Sequence, residues 1–149
     1  MWKAKQAAVT AIAASCLLFL PVISGLSLPS LYAQETGNRY AVAGITDPDQ
    51  FEAFYAKLQK WVNRENKAAV ARNVQYPLRV NKDGQSRFVT DEKQFIAEYE
   101  EIMTERVRLA LEHQPASETF VNYQGVMVGS GEIWLRQSQG KFYIVAINP

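Results

Sequence analysis

The last 25 residues, GVMVGSGEIWLRQSQGKFYIVAINP, constrain the fold more than any other part of the chain. Three short runs rich in β-branched and aromatic residues are separated by Gly129-Ser130-Gly131 and by QSQGK. The pattern predicts strand, turn, strand, turn, strand, with Gly140 in the left-handed position of a hairpin loop. In GEIWLRQ, period-two alternation puts Ile133 and Leu135 on one face and Glu132, Trp134 and Arg136 on the other. In KFYIVAIN, Phe142, Ile144 and Ala146 oppose Tyr143, Val145 and Ile147. Both faces of that strand are apolar, which suits a central strand covered on both sides. Helices supply one cover. The other is a partner subunit or the neighbourhood of Trp134. A homodimer through the outer sheet face is therefore expected, with a monomer shielded by its N-terminal segment as the alternative.

The N-terminal third is unlike the rest. Lys3 and Lys5 precede a long apolar run from Ala7 to about Leu28, no acid occurs before Glu35, and SLYAQ follows. This is the layout of a secretory signal peptide cut after Ala33, although Leu31 is an imperfect residue at position −3. The run is also long enough for a membrane anchor if it is retained. The AASC at Cys16 resembles a lipobox, but the apolar LLFLPVISG follows it where a lipidated cysteine needs a polar linker. The expected location is secreted or periplasmic, with no membrane contact after cleavage.

Of the 149 residues, cleavage leaves 116, enough for one domain. With Lys3 and Lys5 removed, 14 bases face 15 acids, a net charge of −1. Balanced, scattered charge argues against a nucleic-acid partner. The single Cys16 falls in the leader, so the remainder has no disulfide, thiol nucleophile or thiolate metal site. One histidine, His113, rules out a histidine-rich metal site. No cofactor is expected.

Residues 34–44 form a polar lead-in, and residues 45–149 a single domain. In TDPDQFEAFYAKLQKWVNRENK, Asp47 caps a helix, Pro48 suits its first position, and Gln50 completes a capping box. Phe51, Phe54, Tyr55, Leu58, Trp61 and Val62 recur at helical spacing as its core face. A second short helix or kinked extension carries Ala69, Val70 and Val74, with Asn63 or Asn66 at the break. YPLRVNKDGQSRFVT is a hairpin turning at KDG, with Pro77 at a strand start or edge. TDEKQFIAEYEEIMTERVRLALEHQ is a second long helix, capped by Thr90 or Asp91 and buried along Phe95, Ile96, Tyr99, Ile102, Met103, Val107, Ala110 and Leu111. ETFVNYQGVMVG is the first strand of the final block.

The order helix, helix, strand, strand, helix, strand, strand, strand is an α+β arrangement. It resembles the NTF2-like (cystatin-like) superfamily over residues 45–149, and YPLRVN and GVMVGSGEIW look like pieces of its small secreted bacterial members. The resemblance implies a cone: a curved antiparallel sheet packed on two long helices and a short one, around a pocket. It implies little about activity, since the superfamily includes isomerases, dehydratases, transport factors and pure binding modules.

Glu132 is the residue most worth watching. Among apolar side chains a carboxylate gains proton affinity and suits acid–base work, as pocket acids do in the superfamily's isomerases and dehydratases. Alternatively it is half of an ion pair, with Arg79 as the available partner. Trp134 is core, interface or ligand platform. Tyr99, Asn122 and Tyr123 could orient a ligand in a mostly apolar pocket. The ligand-binding set is thus Arg79, Tyr99, Asn122, Tyr123, Glu132 and Trp134. Without convergent titratable groups, the expected function is a module that binds a small apolar molecule or a partner protein. An isomerase or dehydratase using Glu132, or a structural homodimer without ligand, are the alternatives.

Overall fold

The computed structural model describes residues 37–149. The leader reading of residues 1–33, Cys16 included, and the start of the lead-in lie outside the described residues. The packed body begins before residue 45. Tyr40 and Ile45 are both fully buried, flanking a short 3₁₀ turn at Ala41–Ala43. The Tyr40 hydroxyl lies 2.9 Å from Glu52 Oε1 and 3.0 Å from the Ala116 carbonyl. The Arg39 guanidinium donates to the carbonyls of Ala116 and Thr119.

Helix α1 spans Pro48–Asn63. The Asp47 carboxylate accepts the Gln50 N–H at 2.9 Å, the expected cap, but the Gln50 side-chain amide donates to the same carboxylate at 2.8 Å instead of accepting the Asp47 N–H, so the reciprocal half of a capping box is not formed. Its apolar stripe is buried except for half-exposed Trp61. Phe51 meets Phe142 of the sheet edge-on at 5.5 Å between ring centres, and Phe54 meets the same ring at 5.4 Å. Asn66 caps the short α2 (Lys67–Ala71) by accepting the Ala69 N–H at 3.1 Å.

Residues 91–113 form three helices where one was expected: α3 (Glu92–Ala97), α4 (Tyr99–Ile102) and α5 (Glu105–His113). Glu98 leaves helical geometry at φ −101, ψ 15 and Met103 at φ −95, ψ 59. Thr104 then caps α5. On one straight helix, Phe95, Tyr99, Ile102, Met103, Val107 and Leu111 would fan over about half the circumference. The two breaks turn all six into the core, where none is more than 1% exposed. Ile96, counted in the expected stripe, stays 36% exposed.

The strands are β1 (Val74–Lys82), β2 (Gln85–Val89), β3 (Phe120–Asn122), β4 (Gly125–Val128), β5 (Ile133–Ser138) and β6 (Lys141–Ile147). They form one sheet in the order β2-β1-β6-β5-β4-β3. The sheet is mixed rather than antiparallel, because β1 and β6 run parallel. The cause is the crossover: α3–α5 carry the chain from the β2 edge to the β3 edge, and three hairpins bring β6 back beside β1. The segment expected as one strand, ETFVNYQGVMVG, is itself a hairpin. The Asn122 side chain accepts the Gln124 N–H at 2.8 Å and turns the chain. Pro77 lies within β1, inside the interval where the β1–β6 register shifts, so its missing N–H breaks no regular ladder.

One face of the sheet meets the helices. Leu78, Val80, Val126, Val128, Ile133, Leu135, Ile144 and Ile147 join the helix stripes in one buried cluster. The inner side that would line a hollow cone is thus occupied by core side chains.

Candidate functional site

On the other face of the sheet the side chains form a continuous row. Phe88 pairs with Arg79, Arg79 with Ala146, Ala146 with Trp134, Trp134 with Met127, and Met127 with Phe120. The row crosses all six strands, about 24 Å at the usual inter-strand spacing. Its two ends are solvent-exposed aromatics, Phe88 at 58% and Phe120 at 54%. The β5–β6 register shifts between Trp134 and Leu135, where Trp134 opposes Ala146 and Leu135 opposes Ile144. Val145 is the residue left over, and this bulge keeps Trp134 and Ala146 together on the outer side.

A groove of about 520 Å³ opens over the middle of the row, between Arg79, Trp134, Arg136, Val145 and Ala146 and the β3–β4 turn residues Tyr123 and Gln124. Arg136 was not in the expected site. Its place depends on Gly125, where an added Cβ would strike the Leu135 carbonyl and lie 3.0 Å from the Arg136 Cγ. Glycine lets the arginine stem lie across the neighbouring strand. Among the described residues no outward-facing strand position carries an Asp or Glu. Among the described residues neither Arg79 nor Arg136 has a carboxylate partner, whereas Lys67, Arg87, Arg106 and Arg108 all have one. Residues 91–118 hold eight acids against three bases, so negative charge gathers on α3–α5 and the turn after them. The outer sheet face is cationic and aromatic.

The expected site residues divide into three places. Arg79, Trp134 and Tyr123 line the outer groove, with Asn122 shaping the turn that carries Tyr123. Tyr123 sits in that turn, 76% exposed, rather than in a strand. Tyr99 is on the opposite side of the sheet, in the core at 1% exposure. Its hydroxyl is buried without a partner, and burial pushes its pKa up to about 12. The Lys67 ammonium lies 5.2 Å from its ring centre and closes an ion pair to Glu100.

Glu132 is in the β4–β5 turn, one residue before β5, so it does not share the Trp134 face. It is 8% exposed. Its Oε2 accepts the Ser130 N–H at 2.6 Å, and its Oε1 lies 3.5 Å from Arg106 Nη1. Arg79 does not pair with it; Arg106 of α5 does. The carboxylate serves as a strut: α5 passes so close that a Cβ on Gly129 would meet both the Glu132 carboxylate and Ala110. The Glu132 carbonyl accepts the Asn148 N–H at 2.9 Å, and the Asn148 side chain donates to the Gly131 carbonyl, tying the turn to the end of β6.

Among the described residues no helix is long and apolar enough to cross a membrane, and no group of three potential metal ligands occurs. No family model matches the chain, and no curated protein resembles it at a significant level.

Proposed function

We propose that this protein is a secreted or periplasmic binding module that docks an acidic partner protein on the outer face of its sheet. The observation that carries this reading is the row Phe88–Arg79–Ala146–Trp134–Met127–Phe120 with Arg136 beside it: among the described residues neither arginine has a carboxylate partner, and no outward-facing strand position is acidic. An open strip of this width suits a macromolecular surface better than an enclosed small molecule, and guanidinium groups suit bidentate contact with carboxylates. Trp and Arg are also the residues that most often dominate binding energy at such surfaces. The groove lining offers groups that bind rather than a proton-transfer pair. The element order, with helices on one side of a curved mixed sheet, supports an NTF2-like fold, and the lysine-led apolar leader supports export.

A second copy is the less favoured occupant. A symmetric self-pair with its axis over the groove would bring Arg79 and Arg136 towards the same arginines of the second copy with no acid between them. The full chain is titrated with a peptide of alternating glutamate and leucine, and separately with its lysine–leucine counterpart, while NMR follows the indole of Trp134. The glutamate peptide shifts that indole saturably and the lysine peptide does not. The double substitution Arg79→Glu and Arg136→Glu removes the response. A glutamate peptide that leaves Trp134 unmoved overturns the reading. So does a concentration-dependent dimer in sedimentation that Trp134→Ala dissociates, which would assign the face to a second copy.

A further inference from the structure

A second groove, larger than the first at about 600 Å³, opens where the end of the sheet meets α1. Three separate segments build it. From α1 come Phe54, Lys57 and Trp61, whose spacing places them along one helical face. Arg72 stands at the end of α2, where the chain turns into β1. Lys141 and Tyr143 start β6 immediately after the β5–β6 turn, where Gln139 and Gly140 both adopt positive φ, 49° and 74°. Period-two spacing puts Lys141 and Tyr143 on the same side of the strand.

Three cations therefore line one concavity with four aromatic rings, Phe142 being the fourth, and among the described residues its lining contains no Asp or Glu. Among the described residues none of the three lies within ion-pair distance of a carboxylate. In a chain whose acids and bases nearly balance, 15 against 16, this is local segregation rather than a surplus of base. Like charges around a concave, low-dielectric wall focus a positive potential inward, and an anion entering the groove relieves their mutual repulsion. The volume is in the range of small-ligand sites, and the rings give a flat apolar group a surface to stack on.

We propose that this groove binds a small molecule carrying at least two negative charges and a flat apolar portion, an aromatic dicarboxylate or an aryl or nucleoside phosphate. Lys57, Arg72 and Lys141 hold the charges, and Trp61 and Tyr143 hold the ring. The groove shares no lining residue with the outer one, although Tyr143 opposes Arg136 across β5 and β6, and the proposal does not rest on the reading of that face.

Each groove contains its own tryptophan, Trp61 here and Trp134 on the outer face, so the two are distinguishable in one spectrum. The full chain is titrated with naphthalene-2,6-dicarboxylate, with inorganic pyrophosphate and with neutral naphthalene-2,6-dimethanol. Indole N–H signals are assigned from Trp61→Phe and Trp134→Phe variants. The dicarboxylate moves the Trp61 signal saturably, at a concentration at least tenfold below any that shifts Trp134. The neutral diol binds at least tenfold more weakly. Lys57→Gln with Lys141→Gln, both surface changes, weakens the dicarboxylate at least tenfold while the thermal midpoint stays unchanged. Tighter binding of pyrophosphate than of the dicarboxylate assigns the site to phosphates. The proposal is overturned if neither anion gives a saturable Trp61 shift by about 10 mM, beyond which affinity is too weak to define a site. It is equally overturned if the diol binds as well as the diacid, or if the lysine variants bind normally.

Discussion

Replacing Gly129 tests whether Glu132 is a strut, because the two residues compete for one volume. The Glu132 carboxylate accepts the Ser130 N–H at 2.6 Å in a half-buried turn. A hydrogen bond to a charged group contributes about 1.5–3 kcal/mol. The Arg106 side chain on the other oxygen is 61% exposed, so that ion pair adds at most about 1 kcal/mol. Glu132→Ala should therefore cost about 2–4 kcal/mol. Glu132→Gln, which keeps an acceptor for Ser130, should cost about 1 kcal/mol. Gly129 has φ +65, where a side chain costs about 1–2 kcal/mol. An alanine there also displaces the carboxylate, so Gly129→Ala should cost about 3–5 kcal/mol through the two effects together. Once the carboxylate is gone there is nothing left to displace. The double substitution should then cost at most about 1 kcal/mol more than Gly129→Ala alone, the remainder being the ion pair, and the coupling should be about 1.5–3 kcal/mol. The contact with Ala110 is present with and without Glu132 and drops out of the cycle. Urea unfolding followed by circular dichroism measures all four proteins, with an unchanged m-value as the check on two-state behaviour. Additive costs, within about 0.5 kcal/mol, would refute the strut.

Three further outcomes are expected. Tyr99→Phe removes a buried hydroxyl without a partner and should change stability by less than about 1 kcal/mol, or raise it; a loss of more than that in urea unfolding would show a hidden partner. Phe51→Ala removes a fully buried ring packed against Tyr40, Tyr55 and Phe142, and should cost about 3–5 kcal/mol by the same assay. The hydrogen bond from Gln94, then the Arg87 charge, holds Glu98 below its ordinary value of 4.5. Because the folded-state pKa is the lower one, the stability is fully present above 4.5 and is lost as pH falls through the depressed value. The thermal midpoint should fall with acidification below 4.5, and Glu98→Gln should make that fall shallower.

Local features of the fold were legible in the sequence, and non-local ones were not. The α1 stripe and its Asp47 cap can be read because both depend on residues within a few positions of each other. Asn66 could be read as a break for the same reason. The break before α5 had only Thr104 to announce it, a residue that also occurs inside helices. The β3–β4 hairpin hid in a run of strand-forming residues, with Asn122 and Gly125 as its only turn signals. Of the residues lining the candidate groove, Arg79, Trp134 and Tyr123 were among those named from the sequence, but not their relation to each other, since a parallel pairing of β1 with β6 sets it. The expected Arg79–Glu132 pair failed because Glu132 lies outside the strand alternation and because α5, far away in sequence, supplies Arg106 instead. The second groove joins residues 57, 72 and 141, a combination that no local spacing reveals.

The position of β6 also bears on how the chain is made. Among the six strands it is the last to be synthesised, yet it lies between β1 and β5. Until it emerges, a nascent chain holds a two-stranded ribbon and a three-stranded one, each with an open hydrogen-bonding edge beside apolar side chains. Such edges are where chains stick to one another. A chaperone that holds the growing polypeptide should therefore matter most just before residues 141–147 become available, and a stalled product ending near Ser138 should aggregate while the finished protein stays dispersed.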